Sequence, residues 1–276
     1  MAEYIEREKN IVMPLLNKIH NVNCVEGMKQ LPDNFVDLTV TSPPYDNLRT
    51  YNNNIKQWNF DKFKEIAREL YRVTKEGGVV VWVVADATIK GSETGSSFKQ
   101  ALFFKDCGFN LYDTMIWKKP NPAIPTEGRY YNAFEYMFIL SKGKPKAMNF
   151  ICDRKNKRCG EMVKKSQKVP GDRSKKLDKK FAVAEFSRRH NVWEIAISGC
   201  QTGHPAIFPI RLAKDHILSW SNEGDIVLDP FIGSGTTAVA CINTNRQYIG
   251  FEISDEYCKI ANERINNILK EGVDNG

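Results

Sequence analysis

Apolar positions along the 276 residues follow two periods. Phe63, Ile66, Ala67 and Leu70 recur three and four apart, which predicts a helix over 61–74 stopped by Gly77-Gly78. Val79-Val80-Val81-Trp82-Val83-Val84 is unbroken, as expected of a parallel strand covered on both faces. Shorter strand-like runs cover 36–40, 112–117 and 136–140, with two more at Ile226-Val227-Leu228 and Tyr248-Ile249-Gly250-Phe251. Helical spacing returns over 97–107, after Thr236-Thr237, and at Tyr257, Ile260, Ala261, Ile265 and Ile268. Strands alternating with helices place the chain in the α/β class, with a doubly wound, mostly parallel sheet. No strand follows the last helix, so the next strand of the sheet has to come from the N-terminal part, at 20–25. The strands that end near Thr39 and Asp229 then become neighbours and flank the point where strand order reverses and ligands bind.

Both of those strand ends carry unusual chemistry. The first runs into Thr41-Ser42-Pro43-Pro44-Tyr45. Two prolines remove two backbone donors and fix φ, so the strand stops in a stiff loop whose carbonyls are left to accept from a ligand. With the Ser42 hydroxyl on one side and the Tyr45 ring on the other, such a loop suits a planar base carrying an amino group; taken alone, it also reads as an ordinary strand-ending turn. The second strand runs into Asp229-Pro230-Phe231-Ile232-Gly233-Ser234-Gly235-Thr236-Thr237. Gly233 and Gly235 admit positive φ and let a ligand approach the backbone, and Thr236 or Thr237 is placed to cap the following helix. The lysine of a phosphate loop is absent, and Asp229 would repel phosphate. A cation fits better, and S-adenosylmethionine offers a sulfonium and an ammonium. Glu252, at the tip of the next strand, stands where doubly wound nucleotide folds keep the acid that takes ribose hydroxyls.

Composition and charge narrow the class further. A hydrophobic content of 42% supports a sizeable core. No stretch reaches the roughly 18 apolar residues of a membrane span, and the charged N-terminus lacks a signal-peptide core, so a cytoplasmic, non-membrane protein is expected. The 7 cysteines are odd in number and irregularly spaced, which reads as reduced thiols. Cys152 and Cys159 stand wider apart than the usual zinc pair, so although Cys200 and His204 lie downstream, no metal is expected. None of the cysteines follows a proline, so the Pro-Cys nucleophile needed to attack carbon 5 of cytosine is missing. The net charge of +7 is concentrated: residues 142–189 hold 17 Lys and Arg against 5 Asp and Glu. That tract predicts an exposed, partly mobile insertion, and its basicity is the electrostatic footprint of a phosphate-binding surface, a solvated face being the plainer alternative.

Taken together, the Thr41–Tyr45 and Asp229–Thr237 motifs resemble those of the bacterial DNA amino-methyltransferases, which methylate exocyclic nitrogens of cytosine or adenine. The order, with the proline motif first, resembles the permuted β subgroup, whose recognition region falls between the two halves. His204-Pro205-Ala206-Ile207-Phe208-Pro209 resembles the segment before the cofactor strand, Gly250-Phe251-Glu252-Ile253 the ribose-binding strand, and Phe134-Glu135-Tyr136 through Lys142-Gly143 a late strand. One departure is Val22-Asn23-Cys24-Val25-Glu26, where many members have Gly-Asp; Asn23 still offers a hydrogen bond to an adenine ring.

The resemblance implies a circularly permuted, Rossmann-like methyltransferase fold that uses S-adenosylmethionine. It divides the chain into a catalytic half at 1–143, a basic recognition insertion at 144–200 and a cofactor half at 201–276. Ser42, Pro43, Pro44 and Tyr45 are implied as catalytic. Asp229, Pro230, Phe231, Gly233, Ser234, Gly235, Thr236, Thr237, Glu252, Ile253, Asn23, His204, Pro205 and Phe208 are implied as cofactor-binding. Arg49, Arg154, Lys155, Lys157, Arg158, Lys175, Lys176, Arg188 and Arg189 are the DNA-binding candidates, with Tyr51 beside them. Duplex DNA is the implied partner, with a cognate restriction endonuclease acting on the same site and a monomeric or homodimeric enzyme. Serine in the first motif position is commoner in cytosine-N4 than in adenine-N6 enzymes of that family, so cytosine is the expected base and adenine the alternative. An RNA or protein methyltransferase, or a non-catalytic DNA-binding regulator, stands further off.

Overall fold

The computed structural model describes residues 15–44, 58–122, 124, 128–169, 172–197 and 208–274. In chain order the first elements are β1 (Lys18–Asn21), α1 (Cys24–Lys29), β2 (Val36–Thr41), α2 (Phe60–Val73), β3 (Thr74–Val84), β4 (Thr88–Ile89), β5 (Ser92–Glu93) and α3 (Ser96–Asp106). Next come β6 (Asn110–Lys118), β7 (Phe134–Ser141), β8 (Cys152–Lys155), β9 (Met162–Val169), β10 (Asp172–Ala182), β11 (Phe186–Arg188) and β12 (Val192–Glu194). The rest are α4 (Ile210–Trp220), β13 (Ile226–Asp229), α5 (Thr236–Ile242), β14 (Gln247–Glu252) and α6 (Asp255–Asp274). They divide into two compact units, Met1–Asn149 with Asn191–Gly276, and Phe150–His190.

The larger unit is built on an 8-stranded sheet in the order β1-β14-β13-β2-β3-β7-β6-β12. Within it only β7 runs against its neighbours. From Gly77 to Val84 every residue of β3 is buried, which explains its lack of alternation. Val80, Trp82 and Val84 share one core cluster with residues of α1, α2 and α3. On α2 the residues facing it are Phe63, Ile66, Ala67 and Leu70, the stripe read from the sequence, joined by Val73. Asn59 starts that helix by accepting from Lys62 N–H at 2.9 Å. On the opposite face α4 reaches β7 through His216, whose Nε2 lies 3.2 Å from Met137 Sδ, and α5 packs against α4. The sheet is therefore doubly wound.

The chain leaves β2 through α2 to β3 on one side, and leaves β13 through α5 to β14 on the other. β2 and β13 are direct neighbours, with Val227 opposite Leu38 and Leu228 opposite Thr39. The reversal of strand order thus falls between them, and their carboxyl ends, Thr41 and Asp229, open on the same edge.

Four details depart from the sequence reading. The N-terminal strand is Lys18–Asn21 rather than 20–25, because Asn23 accepts from Val25 N–H and caps α1. It does occupy the expected place, beside β14. Gly77-Gly78 does not stop α2; the helix ends at Val73, and the glycines lie inside β3. They form a bulge, since Val36 pairs with Thr74 but Leu38 already pairs with Val79. Gly77 takes φ 82°, and a Cβ on Gly78 would come 2.9 Å from the Asp37 carbonyl oxygen. The separate unit, Phe150–His190, is narrower than 144–200, because Asn149 is tied to Ser219 and Ser221 near the end of α4, and β12 joins the main sheet beside β6. The fourth departure lies inside that unit, which is strand-built: β9 pairs antiparallel with β10, and β8 with β11. Among the described residues no helix is long and apolar enough to cross a membrane.

Candidate active site

Ser42-Pro43-Pro44 follows directly on β2; Pro43 is buried, while Ser42 and Pro44 are partly exposed. Tyr45, Arg49, Tyr51, His204 and Pro205 lie outside the described residues. Beside this loop, β13 delivers Asp229 into a buried position, 5% exposed. Its Oδ1 accepts from the Thr41 hydroxyl at 2.6 Å and from Phe231 N–H at 3.0 Å; its Oδ2 accepts from the Thr237 hydroxyl at 2.6 Å. Burial pushes the carboxyl up to about 6, against the lowering effect of those three donors.

The loop that follows turns on Gly233 and Gly235, with φ of 51° and 83°. Gly235 holds the N-cap position of α5 without a side-chain bond, so neither threonine caps the helix; Thr237 is turned to Asp229 instead. A Cβ on Gly235 would come 3.0 Å from Ala261 Cβ, which is how closely α6 approaches here. Arg264 of α6 braces the same turn, donating to the Ser234 carbonyl at 3.1 Å and to the Thr236 hydroxyl at 3.2 Å. Phe231 meets Trp58 and Trp82 edge-on, at ring-centroid distances of 5.6 and 6.2 Å.

Glu252 closes the site from β14. Its Oε2 accepts from Gly233 N–H at 3.1 Å and its Oε1 from Ser254 N–H at 2.8 Å. Burial raises its pKa, and the backbone donors of Ser254, Gly233 and Ile253 oppose the rise. A carboxylate has about four lone-pair sites, so beside these three backbone donors Glu252 keeps acceptor capacity for a ribose hydroxyl. Ile253, 54% exposed, follows it as an apolar surface. A ribose hydroxyl on Glu252, a flat apolar group on Ile253 and a positively charged tail near two acids match S-adenosylmethionine, so the residues fit that group. Asn23 is at the same edge, where Val22 N–H donates to the Glu252 carbonyl at 3.0 Å, but its Oδ1 is committed to capping α1. Phe208 packs edge-on against Trp117, with ring centroids 6.4 Å apart.

Two contributors escaped the sequence reading. Asp86, just past β3, accepts from Ser97 N–H at 2.9 Å and the Ser96 hydroxyl at 3.1 Å, fixing the start of α3 on the same edge of the sheet. Nothing in the spacing marks a cap ten residues ahead of its helix. Trp58 immediately precedes the Asn59 cap, and an isolated aromatic there carries no periodic signal.

In the second unit Arg154, Lys155 and Lys157 are exposed. Arg158 is exposed too and pairs with Glu161 at 2.7 Å. Arg188 lies over the Phe150 ring, 4.4 Å from its centroid. Arg189 is drawn to Asp153, its Nε 2.9 Å from Oδ2, and is therefore a brace of the unit. Lys176 sits in register with Lys168 on the β9–β10 ribbon, and Lys175 falls in the irregularity between Asp172 and Lys176.

The profile of the N6/N4 methyltransferase family, described as DNA methylase, matches residues 36–263. The chain belongs to this family. Both motif-bearing loops fall inside the match. Among relatives, the orphan methyltransferase M.BamHII of Bacillus amyloliquefaciens is 56% identical over 251 residues, covering 87% of this chain and 92% of that one. The Type II methyltransferase M.SmaI of Serratia marcescens is 29% identical, covering 87% of each. The structure of the M1.HpyAVI–SAM complex superposes with a TM-score of 0.61 at 26% identity, covering 90% of this chain and 98% of that one. PvuII DNA methyltransferase (cytosine-N4-specific) has the same fold, with a TM-score of 0.65 at 22% identity over 88% and 84% of the two chains. In this methylase the proline loop precedes the glycine loop along the chain, which is the permuted order.

Proposed function

We propose that this methylase transfers a methyl group from S-adenosylmethionine to the N4 amino group of cytosine in duplex DNA, after the base has been flipped out of the stack. The observation that carries the reading is that Ser42-Pro43 follows the end of β2, the neighbour of the strand that delivers the Asp229–Thr237 loop, so that both lie at the carboxyl edge. S-adenosylmethionine supplies an electrophilic methyl group on a sulfonium. The protein's task is to make a poor nucleophile attack it. An exocyclic amino nitrogen delocalises its lone pair into the ring. The Ser42 hydroxyl oxygen and the Pro43 carbonyl accept its hydrogens, return electron density to nitrogen and favour a pyramidal geometry. The N–C bond forms as the C–S bond breaks, and the surplus proton leaves to water. No covalent enzyme intermediate is needed, and burial pushes the Cys24 and Cys241 thiols upward, away from nucleophilic use.

Flipping costs a few kcal/mol of unstacking, offset by stacking on Tyr45 and by these hydrogen bonds. The Phe150–His190 unit, with 14 Lys and Arg against 5 Asp and Glu, grips the duplex and serves target recognition. Ser42 offers the same acceptor to either base, so adenine N6 is the second reading; the serine itself favours cytosine, the base of the cytosine-N4-specific PvuII enzyme that shares the fold. In this reading the enzyme works on duplex DNA in the cytoplasm, either beside a cognate endonuclease, the restriction-modification setting of the Type II relatives, or without one, as the name of the orphan relative M.BamHII has it. The test is incubation with methyl-labelled S-adenosylmethionine and duplex DNA, RNA or cell protein. Label in DNA is expected; label in RNA or protein alone, or none, overturns the reading.

A further inference from the structure

Asp229 is expected from its motif to hold the cofactor, yet its carboxylate is buried, 5% exposed, with three protein donors converging on it, whereas Glu252 is only partly buried. They come from three places: the end of β2 (Thr41), the glycine loop (Phe231 N–H) and the first turn of α5 (Thr237). The Thr237 hydroxyl also lies 3.5 Å from the Val40 carbonyl, so α5 reaches β2 by two routes. The backbone ladder between β13 and β2 stops at the Leu228–Thr39 pair. Two residues further along β2, the Thr41–Asp229 bond continues the link by side chains, across 188 positions of sequence. Just beyond Thr41 the chain passes into Ser42-Pro43-Pro44, where two residues have no N–H with which to anchor themselves. Thr41 thus ties the strand that leads into the proline loop to the cofactor half.

We infer that Asp229 is a positioning residue: through Thr41 it sets the Ser42-Pro43 acceptors against the glycine loop, rather than gripping the cofactor itself. The inference rests on the reading of that loop as the site of methyl transfer. It makes the carboxylate a strut between the two halves of a permuted chain, with the Thr41 hydroxyl as its contact on the catalytic side.

The variant that tests this is Thr41→Val, which keeps the shape of the side chain and removes only the donor, with Thr41→Ser as the restoring control. Single-turnover methylation and equilibrium binding of S-adenosylmethionine are measured for both, beside the wild type. The expected result for Thr41→Val is a methyl-transfer rate lower by about 10- to 100-fold, the scale of a displacement of about 1 Å at a reacting group. Its cofactor Kd should stay within about twofold of wild type, and Thr41→Ser should recover most of the rate. An unchanged rate, a cofactor affinity that falls in step with the rate, or a serine variant that recovers nothing each overturns the inference. Should Thr41→Val not fold, Thr41→Ser and Thr41→Ala decide by the same split. The comparison is made on whichever acceptor the wild type labels, so a wild type that leaves DNA unlabelled speaks against the proposed function while the variant ratios still judge the strut.

Discussion

Asp229 brings a carboxyl group into an interior where ionisation is resisted, and its value of about 6 has a consequence for stability. An unfolded chain would ionise this group near about 3.9. Because the folded value is raised, the group's contribution is fully present below the unfolded value and is lost as pH rises through about 6. Asp229→Asn removes that titration while leaving an acceptor for Thr41. Melting temperatures of both proteins should therefore show the wild type losing ground to the variant between about pH 4 and pH 6, with a constant difference above. Glu252, also raised by burial, is present in both proteins and cancels. Parallel curves through that window would show that Asp229 does not titrate there. At this scale the sequence was only half legible. Asp229, Glu252 and the glycines stood out because strand ends in a doubly wound sheet are where ligands bind. The Thr41 donor and the Asn23 cap did not, since each depends on what a side chain meets after folding.

Among the elements, continuous or alternating apolar runs located β2, β3, β6, β7, β13 and β14, and the helical stripes located α2, α3 and α6, to within a few residues. The misreadings have physical causes. A glycine pair signals a helix stop or a bulge equally well, and the difference lies in whether β7 and β2 are there to pair with the residues around it. The β9–β10 ribbon was invisible because lysine at so many positions erases the period of two. Its register sets Lys164 opposite Lys180, both exposed. Like charges directly opposite destabilise a ribbon, so a polyanion is the partner that would stabilise it. Replacing Lys164 and Lys180 by Gln should weaken DNA binding and reduce the slope of log K against log salt by about 2, at roughly 0.9 per phosphate contact. Cofactor affinity should not change. A salt slope equal to that of wild type would take these two lysines out of the DNA interface.

For the whole molecule, the permuted order has a structural logic. The sheet needs β2 and β13 side by side, and needs the chain to leave them in opposite directions; it does not need either to come first. A chain in which the proline loop precedes the glycine loop therefore brings the same two strand ends together at the switch point, and frees the stretch between them to carry the separate Phe150–His190 unit. The family could be read from two short loops because both motifs lie within the family match and end neighbouring strands, whereas the boundaries of the basic unit could not, because β12 looks like part of a charged insertion until it pairs with β6. The central claim, that the Ser42 loop presents a cytosine amino group for methylation, is tested most directly by nucleoside mass spectrometry of DNA from cells expressing the wild type or Ser42→Ala. N4-methylcytosine in the wild-type DNA and little or none with Ser42→Ala, whose cofactor binding stays intact, is the predicted result. N6-methyladenine in its place, or the same N4-methylcytosine level with Ser42→Ala, would contradict it.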